Sequence, residues 1–250
     1  MLPFVGTTLG ALCVVFSKRN TSTRTIKTIE GFSAGVMIAA SIWSLLIPSI
    51  ELAPGEGALT VIPAVVGFLA GFLFFILCEF LLDRYKKRHP EIEARGAIKG
   101  NLFPIIAVAV HNLPEGMAVG AIYAEVLRAA DVKTAMSAAL ALSIGIAIQN
   151  FPEGMIVSLP LRTMGMSRTK SFLIGVLSGV IEPIGALITI LAAGLAVPLL
   201  PYLLSFAAGA MIYAVFAGFT ESDSDGVSTS WMLSLAVGFC LMMSLDVILG

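Results

Sequence analysis

The sequence predicts an all-α protein that crosses a membrane several times, and three observations lead there. Of its 250 residues, 58% are hydrophobic and 12% charged, about half the charge that a water-soluble surface requires. The apolar residues fall into eight long runs separated by charge clusters. None of the runs shows the ten-residue alternation of a transmembrane barrel, and helix is the open structure that satisfies its own backbone in lipid. This composition excludes an ordinary soluble globule, a disordered chain and a disulfide-stapled secreted fold. The net charge of −1 creates no field that would draw a polyanion, so nucleic acid is excluded as a partner and the lipid bilayer is the expected one.

A membrane-spanning helix takes about 20 residues. The runs cover roughly 2–17, 31–50, 58–82, 101–124, 134–160, 171–193, 195–217 and 229–249, read together as one transmembrane transporter domain over residues 1–250. The first run is short, but Met1-Leu2-Pro3-Phe4 lacks the basic segment of a cleaved signal peptide, so it reads as a span. Orientation follows from the basic residues. The first, third and fifth connections hold 13 of the 15 Lys and Arg, Lys18, Arg84 and Arg162 among them, against Arg128 and Lys133 in the fourth. Odd connections should therefore face the cytoplasm, with both termini on the non-cytoplasmic side of a cell membrane.

Small residues recur four apart at Gly6/Gly10, Gly31/Gly35, Gly67/Gly71 and Gly175/Gly179, a spacing that lets helices approach closely. Cys13, Cys78 and Cys240 stand apart inside apolar runs and read as small apolar side chains. Glu79, one turn from Asp83 and Arg84, reads as a snorkelling residue at the cytoplasmic end of span three, and Asp246 reads the same way at the outer end of span eight. His89 lies in the basic loop and reads as solvated.

One internal repeat stands out. His111-Asn112-Leu113-Pro114-Glu115-Gly116-Met117 in span four returns 38 residues later in span five as Gln149-Asn150-Phe151-Pro152-Glu153-Gly154-Met155. At 100° per residue, His111 and Glu115 share one helix face, as do Gln149 and Glu153, with Asn112 and Asn150 beside them. Each proline removes a donor and pushes on the carbonyl four residues back, so both helices are expected to kink beside the polar residues. Freed carbonyls of this kind line binding sites at mid-membrane.

An ionised side chain at the bilayer centre costs roughly 2.5–3.5 kcal/mol on insertion scales, so Glu115 and Glu153 need compensation. Either they share protons or a cation lies between them. Imidazole, carboxylate and amide oxygen together suit a divalent transition metal, zinc, iron(II), manganese or cobalt, better than sodium or potassium. They do not separate zinc from cadmium, and no Lys or Arg is placed to receive an anion. A lone intramembrane His or Glu often only bridges helices, but here the pattern occurs twice. In span six, Ser178, Glu182, Gly185 and Thr189 share a face, with Pro183 adding a kink. In span two, Met37, Ser41, Ser44 and Pro48 show the same spacing, and Met37 offers a thioether.

At HNLPEG and QNFPEG the sequence resembles the ZIP (Zrt/Irt-like protein) family of divalent-metal transporters, and the glutamine form in span five is most similar to its bacterial, GufA-type branch. AGVMIAAS in span two and SGVIEPIGA in span six extend the resemblance over essentially the whole chain. It implies a 3+2+3 bundle whose outer triplets form an inverted repeat, assembled as a homodimer. Spans one, four, five and six would move against two, three, seven and eight, carrying zinc or a related divalent ion into the cytoplasm. By this resemblance His111, Glu115, Gln149 and Glu153, with Met37, form the primary metal site, and Asn112, Asn150 and Glu182 line a second.

The chain departs from the family pattern in places. Two-metal members often carry aspartate where this chain has Asn150, so the second site should be weaker or empty. Bacterial relatives carry paired glutamates where MIYAVFAGFTES has Phe216 and Ala217, although Glu221 remains. Residues 83–100 hold His89 but no histidine-rich run.

Two other function classes compete with this one. An intramembrane metal-dependent hydrolase would need a second histidine near His111 or a GxSxG elbow, and the sequence has neither. A proton or organic-cation carrier could use the Glu pair and would bind no metal tightly. The sequence is thus read as a carrier and not as an enzyme, with the metal as cargo and no catalytic cofactor.

Overall fold

Several of the described helices begin where a short polar side chain takes up the first free amides. Ser22 accepts from Thr25 N at 3.1 Å, Asp131 from Lys133 N at 3.1 Å and Thr134 N at 3.2 Å, and Ser167 from Lys170 N at 3.3 Å. Such caps satisfy donors that the helix cannot satisfy itself. They open spans two, five and six next to basic or hydroxyl-rich connections. In the computed structural model of the chain, residues 1–17, 22–88, 102–192, 194, 198–221 and 228–249 are described. The side chains of residues 23, 82, 86, 102–111, 218–221 and 249 lie outside that description.

Each apolar run contains helix over its described residues. Span one is Leu2–Phe16, span three Val61–Arg88 after a 3-10 turn at Gly57–Thr60, and span four Leu102–Val126. Span five is Val132–Thr163, span seven Leu200–Glu221 and span eight Thr229–Leu249. Among the described residues, six helices are long and apolar enough to cross a membrane, and Leu2–Phe16 is a shorter apolar helix. Among the described residues there is no strand. The chain is an all-α multi-pass membrane protein.

Two spans change their winding. Span two runs from Thr23 to Ala40, widens into a π-helix over Ser41–Leu46 and closes as α-helix over Ile47–Glu51. The sequence reading did not anticipate the wide turn, but Pro48 accounts for it. Proline has no amide hydrogen to give the Ser44 carbonyl and its ring presses on that turn, and Ile47 N–H instead reaches back five residues to Ile42 O. Span six is interrupted at Val180, between Arg168–Gly179 and Ile181–Leu191, just before Pro183. Span four and span five, by contrast, remain helical on both sides of Pro114 and Pro152.

The spans form two groups. Span one packs on five and six, and span four on six; span two packs on eight, and span three on seven. Within each group backbones touch at glycine. A methyl on Gly10 would strike the Phe151 carbonyl, one on Gly35 the Leu235 carbonyl, and one on Gly71 the Phe206 carbonyl. The four-residue glycine spacings are therefore sites of helix contact. The boundary between the groups is made differently. There Val36, Met37 and Leu45 of span two and Leu204 and Met211 of span seven meet Val119 of span four and Ile146 of span five, all buried side chains. Gly145, facing that boundary, looks onto the side chains of Ser44, Met242 and Asp246 at 3.3–3.5 Å from where its Cβ would be.

Candidate metal site

The two copies of the repeat meet inside the bundle. Glu115, Asn112, Gln149 and Asn150 are fully buried, and Glu153 and Glu182 nearly so. Gln149 Nε2 donates to Glu115 Oε1 at 2.9 Å. Asn112 Nδ2 donates to Ser178 O at 3.3 Å and to Glu182 Oε1 at 3.2 Å. The Asn150 amide lies beside the carboxyls of Glu115 and Glu182 but closes no hydrogen bond with either. The carboxyls of Glu115, Glu153 and Glu182 lie within Coulombic reach of one another. None of spans two, four, five and six holds a Lys or Arg between its polar site residues to balance them.

Spans four and six come together because the repeat supplies a glycine. Gly116 admits the Glu182 backbone so closely that any Cβ would overlap its carbonyl oxygen. Gly185 returns the contact against Leu113. The polar face expected on span six is real: Ser178, Glu182, Gly185 and Thr189 are all buried. On span two, Met37, Ser41 and Ser44 are buried as well. Ser41 Oγ, however, donates to Met37 O at 2.7 Å and so serves its own helix.

The donor balance at the centre is uneven. Asn112 Oδ1, Glu115 Oε2, Gln149 Oε1, Asn150 Oδ1 and Glu182 Oε2 are buried and accept no hydrogen bond. Buried polar atoms are nearly always partnered, and leaving one bare costs kilocalories. Five unsatisfied oxygens, with the Asn150 Nδ2 donor also bare, leave spans four, five and six rich in lone pairs that suit a cation with oxygen ligands. Among the described residues no three His, Cys, Asp or Glu side chains gather as a metal cluster, so what converges there is a mixture of carboxylate and amide. The backbone of His111 belongs to span four, while its side chain lies outside the described residues. The same holds for Glu221, and His89 lies outside altogether.

The structure adds two residues that the sequence reading missed, Thr7 and Met211, and a partner for Asp246. Thr7 of span one donates from Oγ1 to Glu182 Oε1 at 2.7 Å. Met211 of span seven is fully buried and its Sδ accepts from Gln149 Nε2 at 3.8 Å, a soft contact across the boundary between the helix groups. Ser44 Oγ donates to Asp246 Oδ1 at 2.5 Å. Asp246 thus does not snorkel outward as expected: its carboxyl turns in toward span two, with Oδ2 buried. The signal for Thr7 was present, since it stands between Gly6 and Gly10, where the helix must come close to its neighbours. Met211 looked like any other apolar residue of its span.

Comparison with known proteins adds the following. The family model described as ZIP zinc transporter matches residues 91–246. The chain is 33% identical to human zinc transporter ZIP11, covering 98% of this chain and 94% of that protein. It is 35% identical to the zinc transporter GufA of Myxococcus xanthus, over 100% and 97% of the two chains. With the zinc transporter ZIPB of Bordetella bronchiseptica it shares 36% identity over 99% and 79%.

Proposed function

The chain belongs to the ZIP zinc transporter family, and from that premise we propose that it carries zinc across the membrane into the cytoplasm through the buried site between spans four, five and six. The observation that carries this reading is the surplus of acceptors. Side-chain oxygens of Asn112, Glu115, Gln149, Asn150 and Glu182 are buried without donors. Doubly charged ions held among these residues would supply the missing partners and would offset the mutual repulsion of Glu115, Glu153 and Glu182.

In this reading Glu115, Gln149 and Glu153, with His111 and the thioether of Met37, hold the transported ion. Asn112, Asn150 and Glu182 form the adjoining second site. Cadmium, iron(II), manganese and cobalt would enter the same ligand set, ranked by softness and geometry. The hydrolytic alternative is not favoured, since the relatives matched are named transporters.

Movement follows from the two kinds of contact. Spans one and five, four and six, two and eight, and three and seven are locked in pairs by backbone-close glycine contacts, and Gly175 and Gly179 of span six close on side chains of span one. The plane between the groups is lined by side chains, which can repack. The reading is that the first group slides past the second with its ion. The basic odd-numbered connections support the inward orientation, and the homodimer implied by the family resemblance belongs to the same reading.

The test is uptake of zinc into proteoliposomes. Uptake is expected to fall to background in Glu115→Ala and Glu153→Ala. Undiminished uptake in either variant would overturn the proposal.

A further inference from the structure

Span one held no residue of the sequence-derived constellation, yet it reaches the site. Thr7 is fully buried. Its Oγ1 donates to Glu182 Oε1 at 2.7 Å, and Asn112 Nδ2 donates to the same oxygen at 3.2 Å. The other oxygen, Glu182 Oε2, is buried and accepts nothing. One carboxylate therefore has both of its donors on a single oxygen and its twin left bare.

The repeat itself builds this arrangement. Each copy contains Pro-Glu-Gly, and each of those glycines admits one foreign backbone. Gly116 takes in Glu182, and Gly154 takes in Thr7, whose carbonyl oxygen would collide with any Cβ there. The two residues so admitted are then bonded to each other. Gly179 closes the third side, since a Cβ there would lie 2.9 Å from both Cβ and Cγ2 of Thr7. Held at its backbone by one glycine and at its methyl by another, and stiff at χ1 because it is β-branched, Thr7 has one place for its hydroxyl.

We propose that Thr7 is a positioning residue for the second cation site: it holds Glu182 as a one-oxygen ligand, with Oε1 occupied by hydrogen bonds and Oε2 presented to the ion. This rests on the reading of Glu182 as a cation ligand. Of the second-site residues Asn112, Asn150 and Glu182, only Glu182 can carry a charge, so the hold on an ion there depends on how that carboxyl group is turned. A carboxylate confined to one oxygen suits a small ion of low coordination number, such as zinc. One free to offer both oxygens suits a larger ion that accepts bidentate ligands. Thr7 thereby biases the site toward zinc over cadmium.

The experiment compares Thr7→Val, which keeps the shape and removes the hydroxyl, with Thr7→Ser, which keeps the hydroxyl, each alone and with Glu182→Gln. Zinc and cadmium binding to purified protein are measured calorimetrically, alongside zinc KM for uptake. Supporting partners of metal ligands are worth about 10–100-fold in affinity. Thr7→Val is expected to weaken zinc about tenfold at the low end of that range, to weaken cadmium less, and to add nothing in the Glu182→Gln background. Thr7→Ser is expected to restore zinc. Should Thr7→Val yield no folded protein, Thr7→Ala carries the same expectations. Equal losses from Thr7→Val with and without Glu182→Gln, or an unchanged zinc-to-cadmium ratio, overturn the proposal and leave the ligand role of Glu182 standing. If Glu182→Gln itself leaves zinc binding and KM unchanged, both fall.

Discussion

Gln149 Nε2 donates to Glu115 Oε1 at 2.9 Å, so the first residue of one repeat copy meets the fifth residue of the other. The contact takes up one glutamate oxygen with an amide hydrogen and leaves Glu115 Oε2 and Gln149 Oε1 buried and bare. Gln149→Leu would remove both the donor and one candidate ligand. Zinc affinity of the purified protein should fall about 10–100-fold, the range for lost supporting partners. Isothermal titration would read it directly, and an unchanged affinity would remove Gln149 from the site.

The neutral Asn150 is the second point of leverage. It sits beside Glu115 and Glu182 without a hydrogen bond to either. Asn150→Asp adds a charge where a second ion would need it, so the number of zinc ions bound per chain should rise toward two. Elemental analysis after dialysis against zinc checks this, and a ratio no higher than that of the unaltered protein counts against a second site.

Much of this was legible in the residues. The repeat announced itself because polar residues inside an apolar run are costly, and a costly pattern found twice demands a reason. Polar faces on spans two and six could be counted out at helical spacing. What could not be read was contact between spans. Thr7 and Met211 act through neighbours far away in the chain, and nothing in their own spans marks their partners. Asp246 misled for a related reason. An acid near a helix end usually reaches for water, and the Ser44 hydroxyl that draws it inward is 202 residues away. The π-helix was half visible: Pro48 signalled trouble in span two, but a proline can bend a helix, end it or widen it.

The Ser44–Asp246 bond predicts a loss of stability in Ser44→Ala, because the carboxylate would keep a buried oxygen and lose its donor. A hydrogen bond to a charged group is worth about 1.5–3 kcal/mol, and the partial exposure of this pair brings the expected loss to about 1 kcal/mol. Thermal unfolding in detergent reads the change. Asp246→Asn combined with Ser44→Ala should lose less than the sum of the two, as neighbours in one bond do.

Glycines at the two kinds of contact should respond in opposite ways. A Cβ at Gly154 overlaps the Thr7 carbonyl oxygen, whereas one at Gly145 meets only side chains at 3.3 Å or more. Gly154→Ala is expected to force spans one and five apart, lowering the thermal midpoint and abolishing uptake. Gly145→Ala is expected to fold with near-normal stability, helped by the better helix propensity of alanine. Equal damage from both would contradict the division into locked groups and a side-chain boundary.

Asp131, at the entrance to span five, yields the pH dependence. The Thr134 hydroxyl donates to it at 2.6 Å, and the Thr134 and Lys133 amides add their bonds. These donors, the Thr134 hydroxyl first, hold its carboxyl below the usual aspartate value. A group whose folded value is depressed contributes stability that is fully present above its unfolded value and lost as pH falls through the folded one. The midpoint gap between the unaltered protein and Asp131→Ala should therefore be constant near neutrality and narrow only below about pH 4. Asp131→Asn keeps an oxygen acceptor for the amides, so its own gap to Asp131→Ala should stay flat across the same range. Scanning thermal unfolding of the three proteins from pH 7 to pH 3 decides it, and a gap to Asp131→Ala that widens in acid would show that the cap is not held as a carboxylate.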